Sequence, residues 1–578
     1  MGCGGRGDRG QRGRLLPCRG RERDPRVRLV ARPSCGYAHR RGRGSDGARA
    51  HPAAGGSHRR PRALPPRGRG PPPSDKVRQV TEPKFDRLRE RLAEVTDLSK
   101  AATLLFWDQR VMMPPGGSAA RAEALSTLST LAQERFVAAD IGRLLEDLRG
   151  IEEGSEYESF ESSLIRVTRR DYEKATRVPP DLVGEMSKAA ALALSAWGPA
   201  KEESNFEALR PHLETHLELK HRYVECFDPP DETYDVLLDN YEPDMKTAEV
   251  REIFEQLKQQ LVPLVQEIGE AGEVDDSFLR QSFDPESQRE FALAILGRFG
   301  YTDDEWRLDQ TSHPFQATPG YADIRLTSNF RPNDLTSLFA TMHEFGHGLY
   351  ERGVDSTLAR TPLGSGVSLG LHESQSRTWE NLVGRSRSFW RFFYPRLQES
   401  FSDQLRSVDE EQFYRAINRV HPSLIRIDAD EVTYNMHIIL RFELEQELIE
   451  GRLAVKDLPA AWNERMAAYL DVEVPNDAQG VLQDMHWAGG GFGYFPTYSL
   501  GNVISLQIWE RVNEELGDLD QGFERGEFDS LREWLQEHLY VLGRKFTPQE
   551  TIERVTGSRI DAKPYVRYLR EKLAPQPA

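Results

Sequence analysis

Two histidines four residues apart are the first sign of chemistry in this sequence. Residues 343–347 read His-Glu-Phe-Gly-His. Because an α-helix has about 3.6 residues per turn, His343 and His347 lie on one helix face, about 6 Å apart at Cβ. This spacing suits two nitrogen ligands of one Zn²⁺ ion. Glu344 lies beside the first histidine, where its carboxylate can act as general base toward a water activated by the metal.

The residues around this motif predict the helix that it needs. Asn333 or Asp334 can cap the start of that helix. Apolar residues then recur at spacings of three and four, which gives the helix one apolar face. These residues are Leu335, Leu338, Phe339, Met342, Phe345 and Leu349. Gly346 and Gly348 lower the helix propensity by up to about 1 kcal/mol each, and they leave room for a neighbouring chain or a substrate.

A zinc site of this kind needs a third protein ligand and an open fourth position. Glu373 is the best candidate, 26 residues after His347 and close to a second predicted helix that begins near Leu371. A flexible glycine- and serine-containing loop separates the two helices. The alternative is that Glu373 is a solvated residue that pairs with Arg377 one helical turn later.

Further motifs accompany this pair of helices. His-Glu-Ser-Gln follows at residues 372–375, and the other segments are His-Pro-Phe at 313–315, Asp-Ile-Arg-Leu-Thr at 323–327, Ile-Arg-Ile-Asp-Ala-Asp at 425–430 and Gly-Val-Leu-Gln-Asp-Met-His-Trp at 480–487. Together they resemble the carboxypeptidase Taq family of zinc metallocarboxypeptidases, and they occur in the order of that family. The likeness extends from about residue 80 to the end of the chain, and six motifs in one order exclude coincidence.

The resemblance implies both a fold and an activity. The implied fold is mainly α-helical, a large helical single domain with a deep substrate groove, usually in a homodimer. The implied reaction is the metal-dependent removal of single residues from the C-terminus of peptides, with broad specificity. Zn²⁺ is the expected ion, although Co²⁺ or Mn²⁺ can also occupy a site built from nitrogen and oxygen ligands.

A carboxypeptidase must also bind the terminal carboxylate of its substrate. A guanidinium does this well because its planar fork pairs with both oxygens. Arg325 and Arg426 lie in family motifs and are the candidates. The alternative for either arginine is a structural ion pair, such as Arg426 with Asp430 one helical turn later.

Neutral donors are expected to hold the oxyanion that forms at the scissile carbonyl. The sequence offers four unranked candidates for this role and for substrate binding, namely His313, His486, Tyr494 and Tyr498. For each histidine a structural role is about as well supported as a catalytic one. Three motif aspartates are candidates to orient the ligand imidazoles, namely Asp323, Asp430 and Asp484.

Charge divides the chain into two parts. Residues 1–75 contain 19 Arg, no Lys and 5 acidic residues, and they are dense in Gly and Pro. Such a segment cannot bury enough apolar surface to fold, so it is predicted to be a disordered extension. An arm that binds nucleic acid is one reading. Because aromatic residues are nearly missing from it, the favoured reading is upstream sequence translated from a misplaced start codon, which is not part of the natural enzyme.

Residues 76–578 form the predicted metallocarboxypeptidase domain and are acidic. They carry 57 basic and 87 acidic side chains, with 13 Lys against 44 Arg. An acidic, lysine-poor surface suits a salt-rich cytoplasm, which favours a halophilic archaeal source. The charge argues against nucleic acid as a partner of this domain, and no apolar stretch is long enough to predict a membrane span. A single cysteine, Cys226, is compatible with a reducing cytoplasm.

Apolar spacing predicts that most of this domain is helical, with one exception. The strand signals lie at 306–330, where a short hairpin is predicted, and the polar Asp323, Arg325 and Thr327 are expected to share its groove-facing side. Helices are predicted by their three-four spacing at residues 80–106, 118–149, 157–176, 181–195, 205–226, 247–270, 286–299, 388–419, 430–450, 456–470, 502–514, 526–540, 547–556 and 563–573.

Two rival classes of function remain at this stage. A zinc endopeptidase or aminopeptidase can use the same metal helix. A binding protein with a degenerate site is disfavoured because Glu344 and all three proposed ligands are intact.

Overall fold

A computed structural model describes residues 75–270 and 274–573. The predicted extension at residues 1–75 lies outside the described residues, apart from Asp75, where the first helix begins. The described part is mostly helical and contains one small three-stranded sheet. The mainly α-helical class predicted from the sequence is therefore confirmed.

Within the residues that the structure describes, ten α-helices precede the sheet. They are α1 (Asp75–Val111), α2 (Ser118–Phe136), α3 (Ala139–Asp147), α4 (Arg149–Gly154), α5 (Phe160–Arg177), α6 (Pro180–Glu202), α7 (Phe206–Val224), α8 (Thr233–Leu238), α9 (Thr247–Glu270) and α10 (Pro285–Phe299). The strands follow as β1 (Trp306–Gln310), β2 (Gln316–Gly320) and β3 (Asp323–Ser328).

Twelve α-helices follow the sheet in the described residues. They are α11 (Thr336–Gly353), α12 (Leu369–Arg377), α13 (Arg387–Ser400), α14 (Ser402–Leu405), α15 (Glu410–Ile417), α16 (Thr433–Ile449), α17 (Leu458–Leu470), α18 (Pro496–Leu516), α19 (Asp520–Phe523), α20 (Asp529–His538), α21 (Pro548–Thr556) and α22 (Lys563–Leu573). A π-helical turn, Thr378–Val383, continues α12 directly.

Two of the predicted helices are broken in the structure. Residues 118–149 form two helices and the start of a third, because the chain turns extended at Ala138 (φ −60°, ψ 138°). Residues 388–419 form three helices, α13, α14 and α15, and the first break lies at Phe401. Asp409 begins the third of these with a capping box, in which its carboxylate accepts from Gln412 and the Gln412 side chain accepts from the Asp409 backbone. This pairing fixes a helix start.

The sheet differs in part from the predicted hairpin. Strands β2 and β3 do form an antiparallel hairpin, but β1 also pairs with β3 in parallel, which gives the order β1-β3-β2. Ile324 and Leu326 are fully buried. Thr327, predicted to line the groove, is also fully buried and donates its hydroxyl to the Phe315 carbonyl. Arg325 turns instead toward α1, where it lies over the Trp107 ring.

The centre of the fold consists of helices that are buried on nearly every side. Helix α16 buries residues at almost every position, polar ones included, and α18 does so from Pro496 to Ile508. Helix α12 packs against α11 and α18. Such burial holds a helix in a fixed place, because every face meets close-packed neighbours. None of the described helices combines the length and the apolar character needed to cross a bilayer.

Candidate metal centre

Glycines allow three helices to meet around Glu373. A Cβ at Gly346 of α11 would lie 2.8 Å from the Ser376 Cα of α12. A Cβ at Gly501 of α18 would lie 2.5 Å from the Glu373 Cγ. Real Cβ atoms do not approach other carbons this closely, so any side chain at these two positions would force the helices apart. The glycines therefore set how near Glu373 comes to the histidines.

The three predicted ligands converge. Glu373 Oε2 lies 3.6 Å from His343 Nε2 and 3.5 Å from His347 Nε2, and candidate ligand atoms of all three residues lie within 4.8 Å of one another. In a tetrahedral site with bonds of about 2.0–2.2 Å, ligand atoms are about 3.3–3.6 Å apart. The residues thus fit one divalent ion, and Glu373 is the side chain that the sequence singled out.

Each imidazole is oriented from behind by a second side chain. Glu380 Oε2 accepts from His343 Nδ1 at 2.8 Å. His347 Nδ1 lies 2.7 Å from His372 Nδ1, and His372 Nε2 lies 3.1 Å from Glu351 Oε1. A ring that donates through Nδ1 presents the lone pair of Nε2 to a metal. Both histidines are therefore held in the ligating tautomer.

These orienting groups were not found by sequence reasoning, which proposed three aspartates instead. That expectation is wrong, because all three have other partners. Asp323 binds Arg325, Asp430 accepts from the start of α16, and Asp484 binds Arg426. Two spacings could have pointed to these groups. Glu380 lies seven residues after Glu373, and Glu351 lies four residues after His347, so each lies near the helix face that carries a ligand.

Arg377 holds the carboxylate side of the site together. Its Nε donates to Glu373 Oε1 at 2.7 Å, and its Nη1 donates to Glu380 Oε2 at 3.2 Å. Burial alone would raise the pKa of Glu373, but Arg377 and the two imidazoles hold that pKa well below its usual range. The predicted pair with Arg377 exists, but Glu373 is 5% exposed rather than solvated. Its other oxygen, Oε2, faces the histidines and lies 3.0 Å from the Ser376 hydroxyl.

The surroundings shift the pKa values of the two imidazoles in opposite directions. Burial lowers the pKa of His347 to about 4. Burial also lowers the pKa of His343, but the carboxylates of Glu373 and Glu380 outweigh it, and the net direction is upward. Glu344 is 8% exposed, and burial raises its pKa to about 7. A carboxyl group with such a pKa exchanges protons readily near neutrality.

Three of the four candidate donors cluster on one loop and the helix that follows it. The His486 ring centroid lies 5.3 Å from that of Tyr494 and 6.3 Å from that of Tyr498. Burial lowers the pKa of His486 to about 4, and burial raises the pKa of Tyr494. The charge of Glu373 adds to the raised pKa of Tyr494. His313 is exposed between β1 and β2.

The two candidate arginines have different surroundings. Arg325 pairs with both oxygens of Asp323. Arg426 is 6% exposed and donates to Asp484 Oδ1 at 2.7 Å, not to Asp430 as the structural alternative proposed. Arg441, which the sequence did not single out, shares the same carboxylate through Oδ2 at 2.5 Å.

Side-chain contacts connect the group formed by Arg426, Arg441 and Asp484 to the metal ligands. Arg426 donates to the Tyr434 hydroxyl at 3.0 Å. The guanidinium of Arg377 lies over the same ring, 4.8 Å from its centroid. The carboxylate of Glu373 and the Arg426 guanidinium are therefore separated by two side chains.

Comparisons with known proteins point to one family. Residues 87–573 match the family model described as carboxypeptidase Taq (M32) metallopeptidase. Thermostable carboxypeptidase 1 of Thermus thermophilus is 40% identical over 85% of this chain and 99% of its own length. Carboxypeptidase 1 of Bacillus subtilis is 35% identical over 84% of this chain and 96% of its own length.

A solved structure gives the same result. The crystal structure of the M32 carboxypeptidase from Deinococcus radiodurans R1 superposes with a TM-score of 0.82 at 40% identity, over 85% of this chain and 98% of that one. Neither the family match nor these relatives bear on the source organism. With a family model matched over most of its length and relatives of this identity, the chain belongs to the carboxypeptidase Taq (M32) family of metallopeptidases.

Proposed function

We propose that this chain is a metal-dependent carboxypeptidase that removes single residues from the C-terminus of peptides with broad specificity. His343, His347 and Glu373 hold the ion, and Glu344 is the general base. The observation that carries the proposal is the convergence of two Nε2 atoms and one carboxylate oxygen beside Glu344. The names of the relatives, which are carboxypeptidases, support the choice of reaction.

The chain's own residues divide the work of such a reaction. A bound divalent ion supplies Lewis acidity toward the peptide carbonyl and the attacking water. Glu344 takes the proton of that water and gives it to the leaving amine. Arg377 occupies one oxygen of Glu373 and leaves the other to the ion. Glu380 and His372 keep the two imidazoles in their ligating tautomers.

The oxyanion needs donors that stay neutral and protonated. His486 is neutral near pH 7, because burial lowers its pKa to about 4. Tyr494 and Tyr498 keep their hydroxyl protons, because burial raises the pKa of each. The charge of Glu373 acts on both tyrosines, and the His486 ring packs against both of them. These contacts support the three residues over the exposed His313.

Arg426 is the better supported contact for the terminal carboxylate. It shares the single carboxylate of Asp484 with Arg441, so the cluster carries one more positive than negative charge. A buried excess charge is costly until an anion compensates it. Both guanidiniums already contact a carboxylate, Arg325 that of Asp323 and Arg426 that of Asp484. The Arg325–Asp323 pair balances its own charge, whereas Arg426 and Arg441 share one carboxylate.

Several finer features belong to the same proposal. We propose Zn²⁺ as the working ion, with Co²⁺ or Mn²⁺ as alternatives that its nitrogen and oxygen ligands also accept. The resemblance supports a homodimer, and the acidic, lysine-poor domain supports a salt-rich cytoplasm as its setting. Residues 1–75 are proposed to be an extension that the activity does not need. Sedimentation analysis and assays of a chain that begins at Asp75 test these features.

A pair of matched peptides tests the reaction itself. The protein is loaded with metal and incubated in high salt with a free-ended peptide and with its C-terminally amidated twin, and the products are read by mass spectrometry. A carboxypeptidase shortens the free peptide by one residue at a time and leaves the amide intact. Internal cleavage of both peptides would favour the endopeptidase alternative, and trimming from the amino end would favour an aminopeptidase.

A further inference from the structure

A fully buried carboxylate away from the metal centre has three hydrogen-bond donors. Glu445 of α16 is 0% exposed. Its Oε2 accepts from the Tyr234 hydroxyl at 2.5 Å and from the Gly493 amide at 2.9 Å, and its Oε1 accepts from Trp487 Nε1 at 2.6 Å. Nothing in the proposed reaction uses Glu445. Burial raises the pKa of Glu445 to about 7, and its three donors oppose that rise. Three aligned hydrogen bonds make a strong anchor, because hydrogen bonds are stronger in a low-dielectric interior.

Two of these donors belong to one irregular segment. Trp487 and Gly493 are six residues apart in the connection between α17 and α18, and Glu445 binds both. The residues between them include three consecutive glycines at 489–491. Glycine loses more backbone freedom on ordering than any other residue. Backbone hydrogen bonds such as that from the Gly491 amide to the His486 carbonyl order part of this segment, and the Glu445 carboxylate joins its two ends.

The segment separates two of the proposed oxyanion donors. His486 immediately precedes Trp487, and Tyr494 immediately follows Gly493. Their ring centroids are 5.3 Å apart. The distance between the two rings therefore depends on how the intervening residues are held, and Glu445 holds both of their ends.

Two further contacts show that the backbone of this segment packs closely against neighbouring helices. His216 Nε2 lies 3.0 Å from the Ala488 carbonyl. Gly493 has φ 90°, and a Cβ there would lie 2.6 Å from the Leu237 carbonyl carbon. The backbone thus rests directly against α8, and the Glu445 carboxylate binds it from α16.

We propose that Glu445 is a positioning residue for the peptidase reaction: by binding Trp487 and Gly493 it fixes the glycine-rich segment 487–493 and so sets His486 and Tyr494 at the spacing that receives the oxyanion. This inference rests on the proposed function, because it takes these two side chains as oxyanion donors. Glutamine cannot replace Glu445, because one of its two terminal atoms is an NH₂ group that would face a donor.

The test compares Glu445→Gln with Glu443→Gln in the full-length, metal-loaded protein. Glu443 lies on the same helix, but its carboxylate pairs with Lys258 and Arg465, away from the segment. Hydrogen–deuterium exchange reports the amides of residues 486–494, and kcat and KM are measured separately with the metal content of each variant. We expect exchange in Glu445→Gln to be roughly ten- to a hundredfold faster in this segment alone.

The kinetic expectation separates positioning from a general loss of structure. In Glu445→Gln, kcat falls about tenfold or more while KM and bound metal stay at wild-type values, because the lost contact acts mainly in the transition state. Glu443→Gln keeps wild-type exchange and kcat. Unchanged exchange in Glu445→Gln, or faster exchange with wild-type kcat, overturns the inference.

A second variant covers the case in which Glu445→Gln does not fold. Trp487→Phe removes one donor and keeps an aromatic ring, and we expect the same direction of change in exchange and in kcat, with a smaller size. Wild-type values for both would overturn the inference. A failure of the proposed function looks different: the wild-type protein then has no carboxypeptidase activity at all, whereas exchange still reports whether Glu445 anchors the segment.

Discussion

Removing the carboxylate behind His343 is expected to weaken metal binding by a calculable amount. The His343 Nδ1 to Glu380 Oε2 distance is 2.8 Å, and the two side chains are 19% and 13% exposed. A hydrogen bond to a charged group contributes about 1.5–3 kcal/mol net. At about 1.4 kcal/mol per factor of ten, Glu380→Ala should lower the affinity for a divalent ion by roughly ten- to a hundredfold, which matches the usual effect of such partners.

A conservative variant divides this effect into geometry and charge. Glu380→Gln keeps an oxygen that can accept from His343, so it retains the tautomer but loses the negative charge. Its affinity should lie between those of the wild type and Glu380→Ala. In either variant Arg377 also loses one of its two carboxylate partners and keeps only Glu373. Part of the lost affinity in Glu380→Ala therefore comes from the altered surroundings of the ligand Glu373.

Competition against a fluorescent zinc chelator measures the affinities directly. Glu443→Gln serves as the control, because it removes a half-buried carboxylate elsewhere. A Glu380→Ala affinity within twofold of the wild type would show that the hydrogen bond does not orient the ligand, and the reasoning from geometry to metal binding would be wrong.

Four other outcomes are expected. Glu344→Gln should bind metal normally and lose at least about a hundredfold in kcat; wild-type turnover would remove the general-base assignment. Asp484→Asn leaves Arg426 and Arg441 without a charged partner, which should cost about 3–5 kcal/mol, or a few degrees in apparent Tm for a domain of this size. The pKa of Asp484 is held far below its usual range. The difference in Tm between the wild type and Asp484→Asn should therefore be complete above about pH 4 and become smaller as the pH falls further. A difference that grows in acid would contradict this assignment. Arg426→Lys should raise KM about tenfold or more with little change in kcat, and an unchanged KM would point to Arg325. Chelation should abolish activity and lower Tm, and both should return with added Zn²⁺; activity that survives dialysis against chelator counts against a metal enzyme.

The part of the site that the sequence predicted rests on local geometry. His343 and His347 share a helix face whatever surrounds them, because the spacing of four residues determines it. The groups behind them depend on contacts between helices. Glu380 reaches His343 across 37 positions, and His372 reaches His347 across 25. The spacing within a helix marks Glu380 as lying on the face of Glu373, but it does not show which imidazole Glu380 orients.

Two details that the structure changed have the same physical origin. The structural alternative for Arg426 named Asp430, four residues later, whereas Arg426 pairs with Asp484, 58 positions away. The strand β1 was assigned to a hairpin, whereas its parallel pairing with β3 depends on how the chain returns after residue 310. The capping box at Asp409 was readable from its spacing to Gln412, and it would have divided one long predicted helix correctly.

The close approach at Gly346 has a consequence for how such enzymes are recognised. A pattern that specifies only two histidines and a glutamate accepts any residue at that position, yet a single methyl group there would collide with α12. Helix α12 is also in close contact with α18 at Gly501, so it cannot move away from α11 freely. The carboxylate of Glu373 would be displaced instead. A relative with alanine in place of this glycine would still satisfy a motif search and would fail to bind its ion. A search for active members of the family should therefore require glycine at this position as well as the metal ligands.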